Sequence, residues 1–529
     1  MRSRSDATLW PAVVNAALLG TDRAPLAVPS SDDTLGAACA RVSADSAAEP
    51  PVALLRVAAV ASAYRRCGWL PARTDEPPVV CAPEILALCP PAAAGLLQRI
   101  LQGEHESLLG AWLALAARHE VRAPSDTLRE LLDIGRREPR LRSLILSVGG
   151  ARAVWLAALN DDWSYAAAGT TPEALVAAWE TGTGAARLTA LQQLRALDPG
   201  LALATLEGSW AQESATERGA FVVALLHGLS AADEPFLERA LDDRRKEVRQ
   251  AAAALLARLP TSALVARMTT RATELVSLGK TGLLKRVRVE VTPPATSDAA
   301  LIRDGVEPKP PPGIGERAWW LAQIVAAVPP STWTAASSLE PGAAVRAAEG
   351  HEWHEPLVAG WLTATERHRD TAWAHAFWEN EPVARIAPQW SAPPAERVFT
   401  TVVSPEHVDA ELRKAIGAGR EVLRANNPVL SALVEWPREW SEALARAVAH
   451  RLKEYVGYDR IQLAGEFGLR ALLERSAHAV PVSAVGAFTD GWPDQSDAWP
   501  SWAPSVDALA SALRFRTDLH LAFNEDSQS

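Results

Sequence analysis

The stretch LERALDDRRKEVRQAAAALLARLP, residues 237–260, decides the fold of this chain. It begins with a short apolar segment, breaks at Asp242 and Asp243, and continues as a longer amphipathic segment. In the longer segment apolar residues recur at a helical period: Val248, Ala252, Leu255, Leu256 and Leu259. Such a stripe predicts a helix with one buried face, which Pro260 is expected to end because proline lacks the backbone donor. The stretch therefore predicts a helical hairpin.

Two upstream segments have the same design. The three segments open with arginines that are 31 residues apart, Arg187, Arg218 and Arg249. Leucines occupy equivalent positions in all three: Leu194, Leu225 and Leu256. This period indicates hairpins that stack on their neighbours and bury a face that each cannot bury alone. An array of this kind is compatible with many functions, so the fold does not define an activity.

The composition points to a soluble protein. Of the 529 residues, 48% are hydrophobic and 22% are charged, which is typical of a globular chain. No clear signal-peptide cleavage site follows the N-terminal apolar stretch, and the longest uncharged run, residues 318–339, is interrupted by prolines. We therefore expect no membrane segment. The cysteines have no zinc-ligand spacing and predict buried thiols in a reducing cytoplasm: Cys39, Cys67, Cys81 and Cys89.

The sequence changes character after residue 275. In residues 283–294, LLKRVRVEVTPP, valines alternate with charged residues, which predicts a strand. Prolines and glycines then predict a non-helical connection up to residue 315. The predicted domains are a helical-hairpin array at 1–275, a strand and proline-rich connection at 276–315, a tryptophan-rich helical region at 316–520 and a flexible tail at 521–529.

Charge is concentrated in one segment. Between Arg239 and Arg288 there are twelve basic and four acidic residues, a net charge of +8 in a chain whose total is −10. This asymmetry favours a surface for an acidic protein partner or a nucleic acid, although a solvated or internally paired face has the same composition. The candidate partner-binding residues are Arg244, Arg245, Lys246, Arg249, Lys280, Lys285, Arg286 and Arg288.

Two other patterns suggest chemistry only weakly. His351, His354, His368 and His375 lie within 25 residues, but their spacing is not that of a zinc signature, so no metal site is predicted. SLGKTG, residues 277–282, has the ending of a phosphate loop without its first glycine, because Glu274 stands there. No catalytic residue and no cofactor are predicted.

Three strings resemble a known family: AALLGTDRAPL (16–26), DEPFLERALDDRRKEVRQAAAALLARLP (233–260) and PKPPPGIGERAWWLAQIVAAVPPSTW (308–333). They are similar to those of an uncharacterised bacterial domain-of-unknown-function family with HEAT-like repeats. Genes of that family often lie beside those for a MoxR-type AAA ATPase, a von Willebrand A-domain protein and a SWIM zinc-finger protein. The resemblance implies a scaffold or adaptor that works with an ATPase module, and these three proteins as partners.

The sequence thus predicts an all-α, HEAT-like helical-hairpin array with a small strand and proline-rich interruption and a second helical region. The predicted function is a non-enzymatic, cytoplasmic interaction scaffold. Two alternatives stay open. One is a HEAT-like nucleic-acid-binding protein or DNA glycosylase that uses the basic segment 239–288, and the other is a metal-dependent hydrolase that uses the histidine cluster 351–375.

Overall fold

A computed structural model describes residues 4–26, 28, 34–44, 49–67, 79–167, 171–281, 286–337, 339–419, 423–424, 427–457 and 463–524. Across these ranges the chain is mainly helical, with two small two-stranded sheets. The predicted all-α helical array is confirmed. The chain divides into two compact units, Met1–Val80 and Cys81–Ser529.

The first unit contains three helices: α1 (Arg4–Leu19), α2 (Thr34–Ser43) and α3 (Pro50–Cys67). Gly20 follows α1 with a φ of 85°, the left-handed conformation that ends many helices. Helix α2 has no clear apolar period in the sequence and is held by its packing. Leu35 and Cys39 are fully buried there, so packing against the neighbouring helices stabilises the segment.

The second unit contains all the other described helices. Before the strand region they are α4 (Pro91–Leu101), α5 (Leu109–Arg118), α6 (Leu128–Arg137), α7 (Arg142–Ala158), α8 (Ser164–Ala167), α9 (Pro172–Thr181), α10 (Gly184–Leu197), α11 (Pro199–Ser209), α12 (Ala215–Ala224), α13 (Glu234–Ala240), α14 (Lys246–Leu256) and α15 (Ala263–Leu275). After it they are α16 (Ala299–Arg303), α17 (Glu316–Ala326), α18 (Ser331–Ser337), α19 (Pro341–Ala347), α20 (His354–His368), α21 (Thr371–Glu379), α22 (Glu381–Ala384), α23 (Ala395–Val402), α24 (Pro405–Ala418), α25 (Pro428–Glu435), α26 (Glu442–Val456), α27 (Leu463–Ala479), α28 (Val485–Thr489) and α29 (Trp499–Asn524).

Helices α13 and α14 form the hairpin predicted from residues 237–260. Val248, Ala252 and Leu256 are fully buried, as the apolar stripe requires. The helix ends at Leu256, before Pro260, and the next helix begins where the Ser262 hydroxyl accepts a hydrogen bond from the Val265 amide at 3.2 Å. The equivalent leucines of the three repeats are also buried: Leu194, Leu225 and Leu256.

Two short sheets interrupt the helices. Strand β1 (Ala87–Leu88) pairs in parallel with β2 (Val121–Arg122), and β3 (Val276–Thr281) pairs antiparallel with β4 (Arg286–Val291). The predicted strand is β4. Its partner β3 was not predicted as a strand, and the register joins Val276 to Val291 and Thr281 to Arg286.

The interruption at 276–315 is built into the core of the second unit. One hydrophobic cluster extends from Leu175 to Leu513 and includes Val276 and Val289 of the hairpin. It also includes Val306 of the connection. The independence of residues 1–275 and 316–520 as domains stays a prediction, but apolar packing is continuous between the described parts of these regions.

The ends of the second unit contact each other. A second hydrophobic cluster combines residues of α4 to α8 with Phe515, Leu519 and Phe523 of α29. Phe523 packs edge-on against Trp112 with ring centroids 5.5 Å apart. Residues 521–524, predicted as part of the flexible tail, therefore lie in a packed helix, and the remaining tail lies outside the described residues.

One described stretch, Pro139–Ala158, is long and apolar enough to cross a membrane. It is interrupted at Gly150, whose φ of 64° and ψ of −170° are not helical. The Glu84 carboxylate accepts hydrogen bonds there from the amides of Ala151 (2.8 Å) and Arg152 (3.1 Å). The stretch thus consists of two short helical segments, of which the second begins on a carboxylate cap.

Candidate functional site

The arginines that open the repeats are structural. The Arg187 guanidinium donates to the buried carboxylate of Glu213 (2.8 Å), and Arg218 donates to that of Asp243 (2.6 Å). The Arg187 guanidinium also stacks on Trp179, 4.2 Å from the ring centre, and the Arg218 guanidinium lies 5.6 Å from the ring centre of Trp210. The two tryptophans are again 31 residues apart. The repeat therefore includes a cation, a carboxylate and an aromatic ring, which join successive hairpins.

Arg249 occupies the third of these positions but binds differently. Its guanidinium donates to the backbone carbonyl of Asp243 at 2.8 Å and not to the Asp243 carboxylate. It also donates to the carbonyl of Arg244 at 3.1 Å. Arg249 is half-buried, and its hydrogen bonds close the turn before α14. It therefore stabilises the basic surface around this turn but exposes little charge there itself.

Much of the basic segment is paired internally. Arg267 and Arg271 both donate to Asp304, at 2.7 and 2.6 Å. Burial acts to raise the pKa of Asp304, but these two hydrogen bonds outweigh it and the pKa lies below its ordinary value. Lys246 lies 3.4 Å from Glu307. The net charge of +8 counted over residues 239–288 is thus partly neutralised by acidic residues outside that segment.

The exposed remainder falls into two groups. Arg244 and Arg245 lie between α13 and α14 and have no ion pair with any residue that the structure describes. Lys280 and Arg288 are exposed on β3 and β4. Lys285 and the side chain of Arg286 lie outside the described residues. Of the eight predicted site residues, the structure therefore shows four as exposed cations and two, Lys246 and Arg249, with partners.

Arg244 and Arg245 border a depression of about 470 Å³. It is lined by Trp210, Ala215, Arg218, Arg239, Ala240, Asp242, Asp243, Arg244 and Arg245. Its carboxylates are occupied: Arg218 binds Asp243, and Arg303 lowers the pKa of Asp242 through a hydrogen bond of 2.7 Å. The unneutralised charge at this depression is therefore positive.

The four histidines do not share one site. The Nδ1 atom of His351 accepts from the Trp353 amide, and Nε2 of His354 donates to the Val383 carbonyl at 2.7 Å. Burial and the charge of Arg367 lower the pKa of His368 to about 4, while the His375 ring packs against a phenylalanine 5.4 Å away. In the described part of the chain, no group of three or more His, Cys, Asp or Glu residues is arranged to hold a metal ion.

Residues 277–281 of the phosphate-loop-like sequence lie in β3. A phosphate loop joins a strand to a helix N-terminus, whereas Gly279, Lys280 and Thr281 are paired with β4 in an antiparallel hairpin. The backbone amides are thus engaged in a ladder and do not form an anion-binding loop. The cysteine prediction holds for Cys39 and Cys89, which are buried, but not for Cys81, which is half-exposed. The side chain of Cys67 lies outside the described residues.

A cleft of about 300 Å³ that the sequence did not indicate lies among α14, α15, α17 and α20. Its walls include seven alanines and two tryptophans beside several polar residues, of which Arg367 is one. No motif marks this cleft, because its lining residues are spread from Gln250 to Ser391. The only local signal is the run of small residues on α14 and α17.

These features define an all-α helical array whose repeats are joined by arginine–carboxylate pairs. Residues 12–523 match the model of a family of unknown function, DUF5691, and the chain belongs to that family. The predicted membership of a domain-of-unknown-function family is confirmed. No curated protein and no solved structure matches the chain.

Proposed function

We propose that the protein is a non-enzymatic, cytoplasmic interaction scaffold that binds an acidic surface of a protein partner at Arg244 and Arg245. The observation that supports this is the unneutralised positive charge at the depression between α13 and α14. The neighbouring carboxylates are already bound by arginines, so an acidic side chain of a partner would meet no repulsion from a free carboxylate at this depression.

The rigidity of this surface also favours binding. Arg218 and Asp243 fix the floor of the depression, and Arg249 holds the two carbonyls of the turn that carries Arg244. Because the backbone is fixed by these contacts, binding would cost little ordering of the turn. Only the side chains of Arg244 and Arg245 would lose conformational freedom.

The partner set follows from the family resemblance: a MoxR-type AAA ATPase, a von Willebrand A-domain protein and a SWIM zinc-finger protein. In the proposal, stacked HEAT-like hairpins hold such a partner beside the ATPase module. A test uses purified proteins of these three classes from the same organism and measures their binding to the full chain by biolayer interferometry at low and high salt.

The informative variant is R244E/R245E. We expect it to weaken binding at least about tenfold at low salt, because reversal of two interface charges creates repulsion. A matched control is R136E/R137E, which reverses an adjacent exposed pair at the end of α6 and leaves the binding unchanged. Equal affinity of both double variants, or no binding to any of the three proteins, would refute the proposal.

Nucleic acid is the second candidate, and the exposed Lys280 and Arg288 favour it. Duplex DNA binding that falls steeply with salt and is lost in R244E/R245E would support this alternative. A glycosylase would also need a free carboxylate near the basic surface. Asp242 and Asp243 are both engaged by arginines, so base excision by either residue would first require an ion pair to open.

A further inference from the structure

The cleft among α14, α15, α17 and α20 contains a cation that has no carboxylate partner among the described residues. Arg367, near the end of α20, donates one hydrogen bond, to the carbonyl of Ala326 at 2.9 Å. Its guanidinium has no carboxylate partner and no second acceptor among the residues that the structure describes. An arginine has five N–H donors, so most of its donor capacity is unused.

The acidic groups near Arg367 are directed to other cations. Glu366 forms its ion pair with Arg397 at 3.2 Å. Asp304 lines the cleft, but Arg267 and Arg271 both bind it. The cleft therefore contains a free positive charge and a carboxylate whose charge is already balanced.

A second cation lies near the first. Burial and, to a smaller extent, the charge of Arg258 lower the pKa of Arg367 to about 10, while the charge of Glu366 opposes this shift. The same two arginines act on His368, which stays neutral at pH 7 because its pKa is about 4. Arg367, with a pKa of about 10, stays charged at neutral pH, and the neighbouring Glu366 forms its ion pair with Arg397.

The other walls of the cleft combine apolar groups with polar side chains that are already bonded within the protein. Gln250 donates to Glu307, Gln323 donates to the Glu307 carbonyl, and Thr363 donates to the Ala359 carbonyl. Ala253, Ala257, Ala322 and Ala359 supply methyl groups, and Trp319 and Trp390 supply ring surface. Helices α17 and α20 approach closely at Gly360, where an added Cβ would lie 2.7 Å from Val325. At about 300 Å³ the space is at the lower end of the range of small-molecule sites, about 300–1,000 Å³.

We propose that this cleft binds a small organic carboxylate, with its head group on the Arg367 guanidinium and a compact apolar body against the alanine and tryptophan walls. A planar guanidinium matches a carboxylate through two parallel hydrogen bonds. A single negative charge fits better than a phosphate, because Arg367 also lies at the C-terminal ends of α17 and α20, whose partial negative charges oppose a dianion.

The ligand site is independent of the proposed partner surface, since Arg244 and Arg245 do not line the cleft. Benzoate and hexanoate are suitable probes, with benzamide as the uncharged isostere of benzoate and inorganic phosphate as the dianion. Isothermal titration calorimetry and saturation-transfer NMR on the full chain should give a dissociation constant on the order of 1 mM for the better carboxylate. Benzamide and phosphate should bind at least about tenfold more weakly.

Two variants test the site in different ways. R367Q removes the charge, and A254L fills the cleft from an exposed position on α14, so that it alters the space without removing a core side chain. Each should reduce benzoate affinity at least about tenfold, whereas R369Q, at a neighbouring exposed arginine outside the lining, and R244E/R245E should leave it unchanged. Far-UV circular dichroism of each variant confirms that it is folded.

The proposal would be overturned if neither benzoate nor hexanoate bound the wild-type chain at a ligand concentration of about 20 mM, which is 20-fold the expected dissociation constant. It would also be overturned by equal binding of benzoate and benzamide, tighter binding of phosphate, or full affinity in folded A254L. These outcomes are distinguishable from failure of the scaffold proposal, whose test depends on Arg244 and Arg245.

Discussion

The buried ion pair between Arg195 and Asp233 allows the sharpest test of how the array is stabilised. Both residues are 1% exposed. Arg195 donates five hydrogen bonds: two to the Asp233 carboxylate, at 2.8 and 3.1 Å, and one each to the carbonyls of Leu225, His227 and Pro199. The guanidinium thus joins α10 to the turns after α12 and before α13.

Replacement of Arg195 by methionine keeps much of the volume but leaves Asp233 buried with only the Ser230 amide as a hydrogen-bond donor. A buried charge without its partner costs about 3–5 kcal/mol. The exposed pair of Arg239 and Glu207, with side chains 62% and 40% exposed, is the matched control, and R239A should cost about 0–1 kcal/mol. In R195M/D233N the orphaned charge is removed, so most of the loss should be recovered.

The assay is urea-induced unfolding followed by far-UV circular dichroism, with free energies compared for the same transition in all variants. If R195M loses no more than R239A, the buried pair does not stabilise the array as argued. If R195M/D233N is no more stable than R195M, the loss comes from the missing carbonyl contacts of the guanidinium and not from the unpaired carboxylate.

Three further predictions concern other contacts. Burial acts to raise the pKa of Glu213, but the hydrogen bond from Arg187 brings this pKa below 4.5. The ion pair therefore stabilises the fold above pH 4.5, and its contribution is lost as Glu213 is protonated at lower pH. In urea titrations R187A should cost about 1.5–3 kcal/mol at pH 7 and less at pH 3. G150A places a Cβ at positive φ and should lose about 1–3 kcal/mol in thermal unfolding, whereas G208A, which meets no atom within 4 Å, should gain about 0.5–1 kcal/mol. F523A should cost about 3–5 kcal/mol and accelerate hydrogen exchange in α5, and unchanged exchange there would contradict the packing of α29 on α5.

The sequence predicted the elements whose signals are local. The stripe from Val248 to Leu256 identified α14, and the 31-residue spacing identified three equivalent leucines that are all buried. It did not identify β3, because Val276 follows a helical segment directly and the alternation of Val276, Leu278 and Lys280 is short. A strand of this length is stabilised mainly by pairing with its partner, here β4, and a partner distant from the local pattern leaves no signal in it.

The site was predicted less well for a similar reason. Counting charges gave a basic segment, but the partners that neutralise it are distant in sequence: Asp304 lies 37 residues from Arg267, and Arg303 lies 61 residues from Asp242. Which cations stay free depends on these tertiary pairs. The Arg367 cleft shows the same dependence, because its lining comes from several helices and none of them carries a recognisable motif.

The contact between the first and last helices of the second unit has a consequence for stability. In an open solenoid each repeat contacts only its neighbours, and terminal repeats can fray independently. Here Phe515 and Phe523 lie in the same hydrophobic cluster as Trp112, and His105 reaches Ser511 at 3.1 Å. Fraying of either end would therefore expose apolar surface of the other, so the ends should unfold together. The 31-residue repeat predicts how neighbouring hairpins stack, whereas the closing contact depends on residues about 400 positions apart and has no signature in the repeat.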